Sequence, residues 1–448
     1  MNVTITTAGN LNGAAGRKQA PLRLPIPFLL TGSCGAALFG LLLPWIAPDA
    51  LLAPDFPHVL ALVHVATLGW LTMTMLGASM QLAPVILVAP LRAARFAYWQ
   101  YPIYVSGVVL LISGFWQSWP WLLIAGGSLI VLAIAHHVVM LSATIWSSAA
   151  RPLTVRFLVA SLIYLSLVVS LGLTAALNFQ FGFLGNAADR LLRVHIILGV
   201  VGWLTCTLLG VSYTLVRMFA LAHAHDDHYG RLVFLLLNGG VVGLAVAFSF
   251  AWFPLIIVGG GLLVAAVWLF AYDYLRMLRV RRRKPLDVTQ RHGIAAVVYL
   301  ALAMPFGVLG VTLGWDQEPQ LVAIALAMLI GWLGQSIVGY LYKIVPFLIW
   351  QARYAPLAGK RPIPLMRDLV HERWAEASWW LINIGVAAAI VCALGVWSIP
   401  LRIASIALGA GLVLAAANIV GVVAPRHVAP ISSDRKQAGR QANANAIQ

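Results

Sequence analysis

The chain has 448 residues, 61% of them hydrophobic and only 9% charged, with a mean hydropathy of +0.91. A soluble chain of this length needs far more polar surface to face water, so the soluble classes are excluded. The net charge of +16 sits in short loops beside apolar runs; that is the pattern of membrane orientation, and it argues for a lipid bilayer and against nucleic acid as the partner.

Apolar runs long enough to cross a hydrocarbon core of about 30 Å recur along the whole chain. They fall near 25–47, 58–88, 98–116, 119–147, 156–179, 191–219, 231–250, 253–275, 293–314, 320–350, 378–397 and 401–424. The first 24 residues are polar and basic with no apolar h-region, so the first span is expected to act as its own targeting signal. Very short turns at 116–120, 252–254 and 397–400 each pair a tryptophan with a proline, as suits a helix hairpin at a membrane interface. Residues 425–448 form a polar Ala/Gln/Asn-rich tail, expected to be disordered. Cys34, Cys206 and Cys392 each lie within an apolar run and form no CxxC, so no disulfide framework is implied.

One set of loops carries Arg17, Lys18, Arg92, Arg95, Arg151, Arg156 and the basic residues of 279–284 and 353–373. The other carries at most Arg190, Arg193 and Arg402, together with Asp49, Asp55, Asp189, Asp316 and Glu318. Basic loops stay in the cytoplasm. The expectation is therefore a bacterial-type inner-membrane protein with both termini cytoplasmic.

A segment recurs three times: Gly69-Trp70-Leu71 with Gly77 and Pro84, Gly202-Trp203-Leu204 with Gly210 and Arg217, and Gly331-Trp332-Leu333 with Gly339 and Pro346. Each has a glycine eight residues after the first and a helix-ending residue fifteen after it; Met80, Tyr213 and Tyr342 stand eleven after it. The copies are 133 and 129 residues apart, each in the second span of a group of four. Small residues on one helix face mark close helix packing. The chain thus reads as one 12-helix domain over 25–424, built from three four-span units near 25–147, 156–275 and 293–424, an all-α membrane fold.

Twelve spans in three pseudo-repeats, with His64 ahead of Gly69-Trp70, Gly77 and Pro84, and Arg95-Phe96 entering span 3, resemble the catalytic subunit of haem-copper oxidases and nitric oxide reductases. The resemblance implies a histidine near the outer end of span 2 that ligates a low-spin haem. His195 matches the placement of a span 6 histidine that is a copper ligand in that family. The family's histidine pair at the start of span 7 has no counterpart in 231–250, and its two span 10 histidines have none in 320–350. The tyrosine paired with the span 6 histidine is missing near Gly199 as well. One histidine does not make a copper site, so copper at the family site and oxygen reduction by the family mechanism are not expected.

His64 and His195 each stand about seven residues inside their span, roughly 10 Å deep at 1.5 Å per residue. At one level they could be the two axial ligands of a b-type haem; equally, each could bond a neighbouring carbonyl and bind nothing. His136 and His137 are adjacent in span 4, so they diverge by about 100° and cannot both face one metal, though one could be a ligand. The loop His223-Ala224-His225-Asp226-Asp227-His228 is either a metal-binding cluster or a solvated loop. Lys343 is expected to snorkel to the interface, and Asp273 to pair with Arg276 one turn on. No P-loop, GxSxG, HExxH or dinucleotide fingerprint occurs. The functions left open are a haem protein that binds or senses a diatomic gas or passes electrons to a respiratory partner, a transporter of a small solute or metal, and a cofactor-free scaffold subunit.

Overall fold

The computed structural model describes residues 20–222, 225–282, 285–314, 317–360 and 362–425. Most of the polar amino-terminal segment, the carboxyl tail and His223 lie outside them. Among the described residues the chain is all helical, with twelve helices long and apolar enough to cross a membrane. In chain order these are α1 (Pro25–Ala50), α2 (Pro57–Leu87), α3 (Ala94–Trp116), α4 (Pro120–Trp146), α5 (Leu153–Phe181) and α6 (Ala187–Ala220). Then follow α7 (His228–Phe250), α8 (Phe253–Arg279), α9 (Val288–Leu313), α10 (Glu318–Arg353), α11 (Glu372–Leu394) and α12 (Ser398–Gly421). The protein is a multi-pass membrane protein, and its outer helix faces meet the lipid.

The three tight hairpins are built alike. Ser118, Ala251 and Val396 take the left-handed conformation at φ of 52°, 52° and 56°. The tryptophan that follows, Trp119, Trp252 or Trp397, donates its backbone N–H five residues back, to Gly114, Ala247 or Cys392. That bond closes the preceding helix, as a Schellman turn does. The tryptophan then caps the next helix, and a proline falls in the first turn of α4 and α8 and in the third position of α12.

The interior is organised around α2, α6 and α10. Each changes from α to π winding over its Gly-Trp-Leu segment, at Val65–Thr72, Ile197–Thr205 and Leu326–Gly334. A π-turn accommodates an extra residue, swings the following side chains round the axis, and is common at functional sites. The tryptophans use that swing to meet at the centre. Trp203 donates its Nε1–H to Thr72 Oγ1 at 3.1 Å, and Trp332 donates to Thr205 Oγ1 at 3.1 Å. Both threonines stand three residues after the first glycine of their segment. In the third segment that position is Gly334, and the Trp70 ring lies against it with its Nε1 buried and without a partner. A side chain at Gly334 would strike the Trp70 ring, so two links of the ring are hydrogen bonds and the third is a close contact.

The outer helices close a ring around this centre: α4 packs on α5, α8 on α9, and α12 on α1. At the last seam Gly40 and Gly409 let the two backbones touch, each lying where the other's Cβ would be. Pro84 and Arg217 stand three residues before the ends of α2 and α6, as expected of a stop signal. Pro346 does not end α10, which runs seven residues further to Arg353. The extension is held from outside the helix: Trp350 Nε1 donates to the Pro364 carbonyl at 2.8 Å, and Arg353 donates to the Val423 carbonyl. Those bonds outweigh the single backbone bond that a proline removes.

Thr205→Val should strand the Trp332 N–H and lower the unfolding free energy by about 1–3 kcal/mol. A double-mutant cycle with Trp332→Phe, read by denaturation in detergent, should show the two losses to be strongly non-additive.

Candidate functional site

His64 is the last α-helical residue of α2 before its π-turn, and His195 is the next-to-last before the π-turn of α6. They stand five and seven residues before the first glycine of their segments, so their positions are not equivalent. The difference is about 3 Å of rise at 1.5 Å per residue, and each ring turns toward its own four-helix unit. His64 stacks on Phe115 of α3, with ring centroids 4.7 Å apart and planes at 26°. His195 leans on Gly172 of α5, where any side chain would press on its ring.

The two histidines share one region of the protein. Phe115 meets Phe179 of α5 edge-on at 6.3 Å, which links α3 to the helix that supports His195. Residues 171–175 of α5 and both histidines are half-buried.

Hydrogen bonding sets the available lone pairs. His64 Nδ1 lies 2.7 Å from the Leu60 carbonyl, which can only accept, so Nδ1 carries the proton and Nε2 presents a lone pair. His195 Nδ1 is buried and makes no hydrogen bond of good geometry, with the Val168 carbonyl of α5 beside the ring. Each imidazole thus keeps a ring nitrogen able to ligate a metal centre of the nitrogen class.

His136 and His137 have a different surrounding. His137 is fully buried, its Nδ1 accepting from Gln100 Nε2 and its Nε2 bonded to Ser79 Oγ, both at 3.0 Å. His136 Nδ1 donates to Oε1 of the same glutamine at 3.0 Å. One amide of α3 thus holds both neighbouring rings through its two ends. With both nitrogens engaged, His137 has no lone pair left for a metal, and among the described residues no group of three or more His, Cys, Asp or Glu side chains forms a metal site.

The histidine-rich loop is a latch in its described part. His225 turns inward to Asp273 of α8, Nε2 to Oδ1 at 3.1 Å, with both side chains buried. Arg276 adds a 3.5 Å contact to Asp273, the neighbour pairing expected one turn on. Arg217 pairs with Asp227 at 2.8 Å, and the His228 backbone amide holds the exposed Asp226 carboxyl below its ordinary range. Lys343 does not simply reach for water; its Nζ pairs with Asp287 Oδ2 at 2.6 Å.

Sequence reasoning passed over His292, Gln335 and Asn383, which join three helices within the third unit. The signal was present: His292 precedes Tyr299 by the same seven residues that separate Phe157 from Tyr164. On the basic-loop side of the tryptophan ring, a cavity of about 60 Å³ opens among α2, α5, α6 and α10, lined chiefly by apolar side chains such as Met75, Leu82, Leu208, Val211 and Leu341.

Gln100→Leu should strand both Nδ1 atoms of the histidine pair and destabilise the protein by about 1–3 kcal/mol for each stranded group. Thermal unfolding of the purified protein is the measurement, and an unchanged midpoint would mean the amide is not the tie described. The chain matches no protein-family profile and no curated protein sequence.

Proposed function

We propose that this is a haem-copper-oxidase-like protein of a bacterial-type inner membrane that holds a b-type haem between His64 and His195. The observation that carries the reading is the state of the two rings. His64 is held by the Leu60 carbonyl with its Nε2 lone pair unused, and His195 keeps a buried ring nitrogen without a well-formed hydrogen bond. The donor set fits such a group, since each of these two span-embedded histidines keeps a ring nitrogen free of a well-formed hydrogen bond.

When bound, the haem supplies one-electron redox chemistry and an iron able to take a diatomic ligand. The chain's own part is to fix the ligands. The Leu60 carbonyl sets the tautomer of His64 and raises its basicity, as an outer partner does for metal-bound histidines. Phe115 holds the ring's plane. The recurrent segments in α2, α6 and α10, and the ring closure of α12 on α1, support the comparison with the oxidase catalytic subunit.

The reading does not extend to oxygen reduction. In α7 the histidine is His228, at the basic-loop end, and α10 has none, so these two helices bring no histidine to a second metal beside the haem. Gas sensing or electron transfer to a respiratory partner is the role that remains. A transporter of a polar solute is less well supported, because the central cavity is lined mainly by apolar side chains.

Protein purified after haem-replete expression should show a Soret band and a b-type pyridine haemochrome. His64→Ala and His195→Ala should each abolish the six-coordinate spectrum, whereas Gln100→Leu should leave it in place. A colourless preparation under these conditions would sink the reading.

A further inference from the structure

In all three four-helix units the first span packs on the second at two recurring glycines, and at the second of these the third unit stands apart. Gly202 and Gly331 receive Tyr164 and Tyr299 from the first spans, while in the first unit Gly35 packs on the Gly69 carbonyl instead. Eight residues on, Gly77, Gly210 and Gly339 receive Phe28, Phe157 and His292. Phenylalanine therefore satisfies this packing niche twice, and histidine takes its place in the third.

Polar partners accompany the change. His292 is fully buried, and its Nδ1 lies 3.0 Å from Gln335 Oε1. Gln335, also fully buried, stands four residues after Gly331, where the other units carry Met73 and Cys206. Its Nε2 donates to Asn383 Oδ1 at 3.0 Å, and Asn383 Nδ2 donates back to Oε1 at 3.2 Å. Because Oε1 is an acceptor, His292 Nδ1 carries the proton and its lone pair is on Nε2. That Nε2 is buried with no hydrogen-bond partner.

A succession of polar groups leads from His292 to the basic-loop face. Gln290 Nε2 and Thr289 Oγ1 are buried without partners. Asp287 caps α9 and pairs with Lys343 at the membrane edge, where their side chains are 19% and 25% exposed. The other titratable groups around His292 are Tyr342 of α10, whose ring lies parallel to it at 6.0 Å, and Tyr274 of α8, whose hydroxyl abuts Gly293. Arg291 faces away to Glu376 of α11 at 3.0 Å. An ionisable group within a span, reached by such a series, is a functional site by default.

We propose that His292 is a proton-accepting site of the third unit, loaded from the basic-loop face past the Asp287–Lys343 pair. A proton delivered by water adds to the Nε2 lone pair. The resulting imidazolium keeps its Nδ1–H bond to Gln335 and lies against the π face of Tyr342, and release returns the same proton to water. The site needs no haem, so it stands or falls separately from the reading above.

The test is hydrogen–deuterium exchange at the histidine C2 position, read residue by residue by mass spectrometry across a pH series on the full chain in detergent. His292 should exchange with a sigmoidal pH profile despite its burial, while His137, with both nitrogens bonded, stays protected. Asp287→Asn, which preserves the helix cap, should slow exchange at His292 by about tenfold or more if opening at that entry limits access. His292→Phe restores the residue used by the other two units and should fold with an unchanged thermal midpoint. Exchange at His292 as slow as at His137 throughout would overturn the proposal, as would a His292→Phe protein that fails to fold, since histidine would then be a structural tie.

Discussion

An indole N–H in the middle of a membrane has no water to turn to, and the architecture of this protein follows from how three of them are accommodated. In hydrocarbon an unsatisfied donor costs several kcal/mol. Trp203 and Trp332 meet that constraint with threonines of the neighbouring central helix, which fixes both the rotation and the depth of α6 against α2 and of α10 against α6. The third junction is steric, Trp70 against Gly334, with the donor left unmatched. The ring therefore has one link of a different character, where α10 meets α2.

The π-turns connect this ring to the candidate chemistry. Both His64 and His195 lie just before the winding change, so the same local distortion that brings the tryptophans inward sets the direction of the histidines. The α10 segment has the π-turn and the tryptophan but Leu326 and Ile324 at the positions of those histidines, and α10 is instead polar beyond the turn, at Gln335. Polar chemistry is thus divided by depth: imidazoles before the ring in the first two units, and histidine–amide clusters beyond it in the first and third.

On the basic-loop side the fourth spans capture the loops that follow the second spans. Asp273 of α8 holds His225, Asn418 of α12 exchanges two hydrogen bonds with the backbone of His371, and Thr144 of α4 accepts from the Arg92 amide. These bonds tie each loop to the bundle at the basic-loop ends of α2, α6 and α10. The histidine-rich loop belongs to this scheme, which explains its buried histidine without a metal.

The sequence by itself determined the twelve spans, the hairpins at their tryptophan–proline turns and the recurrence of the central segment. These depend on local composition and on spacing along one helix: apolar length, left-handed helix stops, glycines on one face. It also marked His64 and His195 as ionisable groups within spans. What it could not supply was rotation about each helix axis. The five- and seven-residue offsets of His64 and His195 were legible along the chain, but the neighbours that turn each ring, Phe115 of α3 and Gly172 of α5, were not. Nor could it show that Gln100 ties His136 and His137, or that Gln335 and Asn383 gather around His292. Those partners lie on separate helices, and only the packing of one helix against another decides which polar groups leave lipid together.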